Sequence, residues 1–265
     1  MAGIEGQAAL ITGGGSGIGL GTAQLLAADG AHVTICGRTE DKLAAAVPQI
    51  ESGAAEGVQV RYAVADITVE DEIARAVAVA TEATGGLDIC FANAGGALHM
   101  GPLLDADADA VKATFELGLY GSFLTIKHAA KAMVDRGGGS IVGMSSGAGH
   151  FPHRFLWAYG SAKGGIEMLC KYAAEELGDR GVRVNCVQPG IIDDDLMSFI
   201  TAGGPLLDDY LAEMPISRLG TVDDVARAVR FLAGPESSWI TGECLGVDGG
   251  HHLRRGANYE LLFGG

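Results

Sequence analysis

Short apolar runs alternate with longer helical ones along this chain, and that alternation constrains the fold more than any other feature. The runs AALIT (8–12), HVTIC (32–36), VQVRYAV (58–64), LDICFA (87–92), SIVGMS (140–145), RVNCV (183–187) and ECLGV (243–247) read as strands. Between them, GLGTAQLLAADG, TEDKLAAAVPQI, VEDEIARAVAVATEA and AKGGIEMLCKYAAEELGDRG carry apolar residues at helical spacing. Nearly continuous Val/Ile strands joined by helices predict an α/β fold, a doubly wound parallel sheet of about seven strands with helices on both faces. No Pro/Ser-rich linker, composition break or repeat interrupts it, so residues 1–265 read as a single domain. The signals mix between Gly190 and Gly220. A stretch there would overhang the carboxyl ends of the strands, where open α/β sheets bind ligands, and residues 191–216 read as a substrate loop ahead of a tail at 251–265.

The charge balance narrows the partners. Eighteen Lys and Arg against 33 Asp and Glu give a net charge of −15, which disfavours nucleic acid and anionic membranes. The start, MAGIEGQAAL, lacks a basic region followed by an apolar core, and no apolar run approaches a membrane span. Five scattered cysteines without a CxxC pair read as small core residues in a reducing, cytoplasmic setting. His150-x-x-His153 and His251-His252 lack supporting ligands, so no metal is expected. DADADAVKATFE resembles a calcium loop only faintly, since Ala110 stands where Gly is needed; it reads as an acidic helix start.

TGGGSGIG, Thr12 to Gly19, places five glycines directly behind the first strand. Glycine loses more entropy on folding than any other residue, so the cluster calls for something lying against bare backbone. Between a strand and a helix, that something is a phosphate held by backbone N–H groups at the positive end of the helix. The spacing satisfies neither G-x-G-x-x-G nor a P-loop.

The pattern T-G-x-x-x-G-x-G resembles the short-chain dehydrogenase/reductase family. Further matches follow in that family's order: Asp66, Asn93-Ala94-Gly95, Ser146, Tyr159-x-x-x-Lys163 and Pro189-Gly190, covering about residues 5–250. The resemblance implies a Rossmann-type fold and an NAD(P)-dependent oxidoreductase interconverting a secondary alcohol and a ketone, most often a dimer or tetramer. It implies a cofactor cradle of Gly13, Ser16, Gly17, Ile18, Gly19, Asp66, Ile67, Asn93, Ala94, Gly95, Pro189, Gly190 and Ile192, joined by Tyr159 and Lys163. On its own residues Asp66 also reads as a turn carboxylate ahead of Thr68.

Tyr159 and Lys163 stand four apart, on one face of a helix. A free tyrosine, with a pKa of about 10, is a poor base at neutral pH. A neighbouring ammonium is expected to lower that value, so that Tyr159 serves as acid/base. By the family spacing Ser146, rather than Ser145, would hold the substrate oxygen. Gly37 stands where an NAD site presents an acid, and Arg38 follows it, which favours NADP over NAD; Glu40 and Asp41 are alternative partners for Arg38.

Two positions depart from the family pattern. In FELGLYGSF, Gly118 takes the place of an Asn that bends the central helix and holds a water. It either preserves the bend or marks altered proton exchange, the latter leaving open a cofactor-binding sensor without turnover. Asp194 takes the place of a Thr, as a carboxamide acceptor or as part of an acidic helix start. The aromatics and histidines of 150–157 wall either the substrate pocket, suiting an apolar or cyclic substrate, or a subunit contact. Reduction of a ketone on an anionic acyl carrier finds no encouragement in the net charge.

Overall fold

The structure, a computed structural model, describes residues 3–263; residues 1–2 and 264–265 of the expected domain lie outside them. Seven strands form one sheet: β1 (Ala8–Thr12), β2 (His32–Gly37), β3 (Val60–Val64), β4 (Ile89–Ala92), β5 (Gly139–Met144), β6 (Val182–Pro189) and, after a two-stranded ribbon of β7 (Ile192–Asp193) and β8 (Gly220–Thr221), β9 (Cys244–Val247). Their order is β3-β2-β1-β4-β5-β6-β9, parallel throughout. All seven expected strands are present, with β6 running on through Pro189.

The helices are α1 (Gly17–Ala28), α2 (Glu40–Glu51), α3 (Glu70–Thr81), α4 (Ala108–Phe115), α5 (Gly121–Arg136), α6 (Gly147–His150), α7 (Trp157–Leu177), α8 (Ser198–Thr201), α9 (Pro205–Glu213) and α10 (Val222–Ala233). The two-residue period of the strands sorts them into layers. Ala9, Ile11, Ile89 and Phe91 face α1, α2 and α10; Leu10, Cys90 and Ala92 face α3, α5 and α7. Each fully buried Leu, Ile or Phe contributes about 1.5–3 kcal/mol of hydrophobic stabilisation. Cys36, Cys90, Cys170 and Cys186 are buried as core residues, and Cys244 is half-buried. Asp107 caps α4 by accepting the Ala110 N–H at 2.8 Å, as the acidic helix start predicts.

Two elements go beyond the sequence reading. α10 starts at a reciprocal cap: Thr221 Oγ1 accepts the Asp224 N–H at 3.2 Å, and Asp224 accepts the Thr221 N–H at 2.8 Å. The stretch after Gly190 forms β7, α8 and α9, whose Ile200, Leu206, Tyr210 and Met214 build a third apolar cluster with Ala257 and Tyr259 of the tail. The strand order reverses between β1 and β4, the position where a parallel α/β sheet opens a crevice.

Candidate active site

A cleft of about 600 Å³ opens at that reversal. Every site residue named from the sequence lines it except Asp66. Its floor joins the turn after β1 to the turn after β4. Thr12 Oγ1 accepts the N–H groups of Asn93 and Ala94 at 3.0 Å each, and Asn93 Nδ2 donates to Thr12 O at 2.8 Å. Gly13 holds φ +68, a left-handed conformation. A Cβ on Gly19 would stand 2.3 Å from Gly13 O and 2.7 Å from Asn93 Nδ2, so only bare backbone fits. Ser16 caps α1 without engaging its side chain, and Ser16 through Gly19 line the cleft. A helix N-terminus behind close-approach glycines fits a pyrophosphate.

At the end beyond β2, Gly37, Arg38, Thr39 and Lys42 line the cleft. Lys42 is a second cation that the sequence reading passed over. Arg38 reaches Asp66 at 4.0 Å, not Glu40, which accepts from Tyr62 Oη at 3.2 Å. Asp66 Oδ1 accepts the N–H and hydroxyl of Thr68 at 2.9 and 2.8 Å, so the turn role is realised. Burial pushes this carboxyl up; the Thr68 bonds and the Arg38 charge outweigh that and hold it below the ordinary range. Ala65 and Ile67, either side of it, line the cleft.

Beyond β5 the two adjacent serines part. Ser145 is buried and donates to Glu167 Oε1 at 2.7 Å; Gln188 Nε2 donates to the same oxygen at 2.8 Å. Ser146 caps α6, accepting the Ala148 N–H at 3.2 Å. Tyr159 and Lys163 come from the first two turns of α7. Lys163 is 2% exposed, and its Nζ donates to Met144 O at 2.6 Å and lies 5.6 Å from the centre of the Tyr159 ring. A Cβ on Gly95 would stand 3.3 Å from that ammonium.

The titration expected for Tyr159 is reversed among the protein's own groups. Burial pushes the phenol up to about 12, against the Ser146 hydrogen bond, with Tyr259 adding to the rise. Burial brings Lys163 down to about 8. The sequence reading counted the ammonium and left out the desolvation of both groups, which dominates here.

Gly118 keeps the bend. Glu116–Tyr120 is a π-helical turn, closed by the Gly121 N–H on Glu116 O, and Ser122 Oγ donates to Gly118 O at 2.6 Å. A Cβ at Gly118 would stand 3.2 Å from the Ala162 Cβ of α7. Asp194 caps the short 3-10 turn Asp195–Met197, accepting the Met197 N–H at 2.9 Å, as an acidic helix start does. Its Oδ2 also lies 2.8 Å from the point where a Cβ on Gly17 would stand.

Most of the remaining wall comes from residues to which the sequence reading gave no role at the cleft. Tyr210 of α9, with His251 and Tyr259 of the tail, line the cleft beside His153. Of the 150–157 aromatics, His153 faces the cleft and Phe151 packs on it with ring centres 4.8 Å apart; Phe155, at φ +69, packs toward Phe263, and Trp157 toward His99. A bulky residue in the left-handed region is held there by its surroundings.

Residues 13–252 match a family model described as enoyl-(acyl carrier protein) reductase. A short-chain type dehydrogenase/reductase from Mycobacterium ulcerans superposes with a TM-score of 0.96 at 44% identity, covering 98% of this chain and 95% of that one. A 2,5-dichloro-2,5-cyclohexadiene-1,4-diol dehydrogenase from Sphingobium indicum is 33% identical over 252 residues, covering 94% of this chain and 98% of the relative. A cis-4-hydroxycyclohexanecarboxylate dehydrogenase from Sinomonas cyclohexanicum is 36% identical over 247 residues, covering 92% and 96%. With the seven-stranded sheet and the cleft at its reversal, these likenesses establish the chain as an NAD(P)-dependent alcohol/ketone oxidoreductase that belongs to the short-chain dehydrogenase/reductase family.

Proposed function

We propose that this enzyme prefers NADP(H) and interconverts a cyclic secondary alcohol with its ketone, using Tyr159 as acid/base, Lys163 as its electrostatic support and Ser146 as the substrate-oxygen donor. The observation that carries the reading is the convergence of these three side chains on the cleft that begins at the glycine turn. Cyclic substrates are supported by relatives named for six-membered-ring alcohols and by the apolar cluster of α9 and the tail beside Tyr159.

The glycine turn would hold the pyrophosphate of a nicotinamide dinucleotide and the Asn93-Ala94-Gly95 turn would line it, and when bound the cofactor would supply the hydride acceptor or donor. The chain's own residues manage the proton. Ser146 holds the substrate oxygen, and Tyr159 gives its phenolic proton to a ketone oxygen or takes one from an alcohol. A phenol pushed up to about 12 is a reservoir of that proton at neutral pH. The Lys163 ammonium offsets the phenolate left after donation. At the far end, Arg38 and Lys42 face a 2′-phosphate where Gly37 leaves room. The cofactor contacts extend to Gly13, Ser16 through Gly19, Ile67, Pro189, Gly190 and Ile192, with Asp66 acting through its turn.

Residues 191–216 serve as the substrate loop and the tail from 251 as its partner wall. The protein assembles as a homo-oligomer through the exposed Tyr120 and Phe123 of the central helix and Met168 and Tyr172 of α7, which light scattering tests. Among the described residues no helix is long and apolar enough to cross a membrane, and five free cysteines suit the cytoplasm. The deciding experiment follows NADPH and NADH absorbance with cyclohexanones and cyclohexanols. Tyr159-dependent turnover, faster with NADPH and losing that preference in Arg38→Ala/Lys42→Ala, supports the reading; turnover that survives Tyr159→Phe defeats it.

A further inference from the structure

The cleft wall carries a buried nitrogen with nothing to bond. His251, in the turn after β9, is 1% exposed, and its Nε2 has no hydrogen-bond partner among the described residues. Its ring is hemmed by Phe151, His153 and Tyr210, with ring centres 5.1, 5.4 and 5.3 Å away. Burial lowers the pKa of this imidazole, outweighing a backbone hydrogen bond at Arg255 and the nearby carboxylates that raise it, so the ring is neutral. A neutral imidazole protonated at its other nitrogen presents Nε2 as a bare acceptor. Beside it, Tyr210 Oη and Tyr259 Oη stand 2.9 Å apart. Two phenols sharing one hydrogen bond leave one O–H proton uncommitted.

The charges near this wall are already engaged. Arg255 is paired with Asp209 and Glu213, and Asp248 with His252. Lys163 donates to Met144 O. No free cation among the described lining residues of this end is offered to an anion.

We propose that His251 Nε2 and the Tyr210–Tyr259 pair form a subsite for a second, neutral hydroxyl of the substrate. That hydroxyl donates to Nε2 and accepts the spare phenol proton, satisfying all three groups at once. A carboxylate or a second ketone has no proton for Nε2, and a mono-alcohol leaves both partners unmatched. The inference rests on the reading of the cleft as a cyclic-alcohol dehydrogenase site and assigns it diols over mono-alcohols and hydroxy acids.

The test compares the cyclohexanediols with cyclohexanol and 4-hydroxycyclohexanecarboxylate, using wild type, His251→Phe and Tyr259→Phe, in kcat/KM and in calorimetric binding to the enzyme–cofactor complex. The best diol is expected to exceed cyclohexanol by about tenfold or more in wild type, with the ratio falling toward one in His251→Phe and by several-fold in Tyr259→Phe. An unchanged ratio in both variants, or a wild-type preference for cyclohexanol or the hydroxy acid, overturns the subsite while leaving the dehydrogenase reading intact. Diol binding that depends on His251 without oxidation of any alcohol retains the subsite and defeats the dehydrogenase reading instead. Tyr259→Phe removes only one oxygen and keeps the test open should His251→Phe not fold.

Discussion

Ser145 donates to Glu167 at 2.7 Å beneath the cleft, a bond that commits the hydroxyl of one of two adjacent serines. Both serines line the cleft, but Ser145 is buried with its hydroxyl committed to Glu167, whereas Ser146 is only half-buried. Ser145→Ala is expected to cost about 1–3 kcal/mol, because a buried carboxylate loses a donor, while keeping most turnover. Ser146→Ala is expected to cost no more than about 1 kcal/mol through the lost α6 cap, but about 10²–10³ in kcat. Denaturant unfolding and steady-state rates on the two variants check this; equal kinetic losses would remove the distinction.

Lys163 sets a pH dependence of stability. Its folded pKa, about 8, lies below the ordinary 10.5. Below pH 8 the folded chain carries a buried charge at a cost of a few kcal/mol at most, at about 1.4 kcal/mol per pKa unit. Between pH 8 and 10.5 the unfolded chain holds a proton the folded chain has released, so stability rises with pH there. Compared with Lys163→Met, wild type should gain stability across that window and show a constant difference below it. Urea unfolding at pH 7, 9 and 10.5 measures the difference, and a flat one refutes the assignment. The same variant should lose about 10²–10⁴ in turnover.

Much of this was legible because the physics is local. The inner strands β1, β2, β4, β5 and β6 are buried on both faces and so nearly continuous in apolar residues, while the part-exposed edge strands β3 and β9 kept enough Val and Leu to be read; the glycine turn was readable from its place between a strand and a helix. What escaped is non-local or geometric. Tyr210 and Tyr259 meet across 49 residues with no shared period. Arg38 was given Glu40 or Asp41 as neighbours in sequence, but the fold brings Asp66 to it and gives Glu40 to Tyr62. The Tyr159 phenol was expected to fall because only its charged neighbour is visible in a sequence; desolvation is a property of the folded site. α10 went unread although its signal is local, since Thr221 and Asp224 precede Val225, Val229 and Leu232 at helical spacing.

The π-helical turn at Gly118 is fitted to α7 through Ala162. A Cβ at 3.2 Å from Ala162 Cβ requires the two packed helices to give by a few tenths of an ångström, so Gly118→Asn is expected to destabilise by about 1 kcal/mol. Ala162→Gly should remove the obstruction at about 1 kcal/mol of its own helix cost. In the double variant the two losses should fall short of additivity by about 0.5 kcal/mol or more. Strict additivity in urea unfolding would show that the glycine is not there to admit Ala162.

Asp194 and Gly17 place a carboxylate at the first residue of α1, where the helix dipole and the glycine turn favour an anion. A fixed negative charge there opposes a pyrophosphate drawn to the same N–H groups. Asp194→Asn keeps a residue that caps the 3-10 turn as well as Asp does and removes only the charge. Relief of about 1 kcal/mol, roughly fivefold in Kd, is expected for cofactor binding at low ionic strength. Screening should narrow the gap as salt is raised toward 1 M, where the Debye length is about 3 Å. Fluorescence titration of both proteins with NADPH and NADH across that salt range decides the matter. An unchanged or weaker affinity in Asp194→Asn would mean that the carboxylate swings clear of the glycine turn or itself helps hold the cofactor, as an acceptor for the carboxamide would.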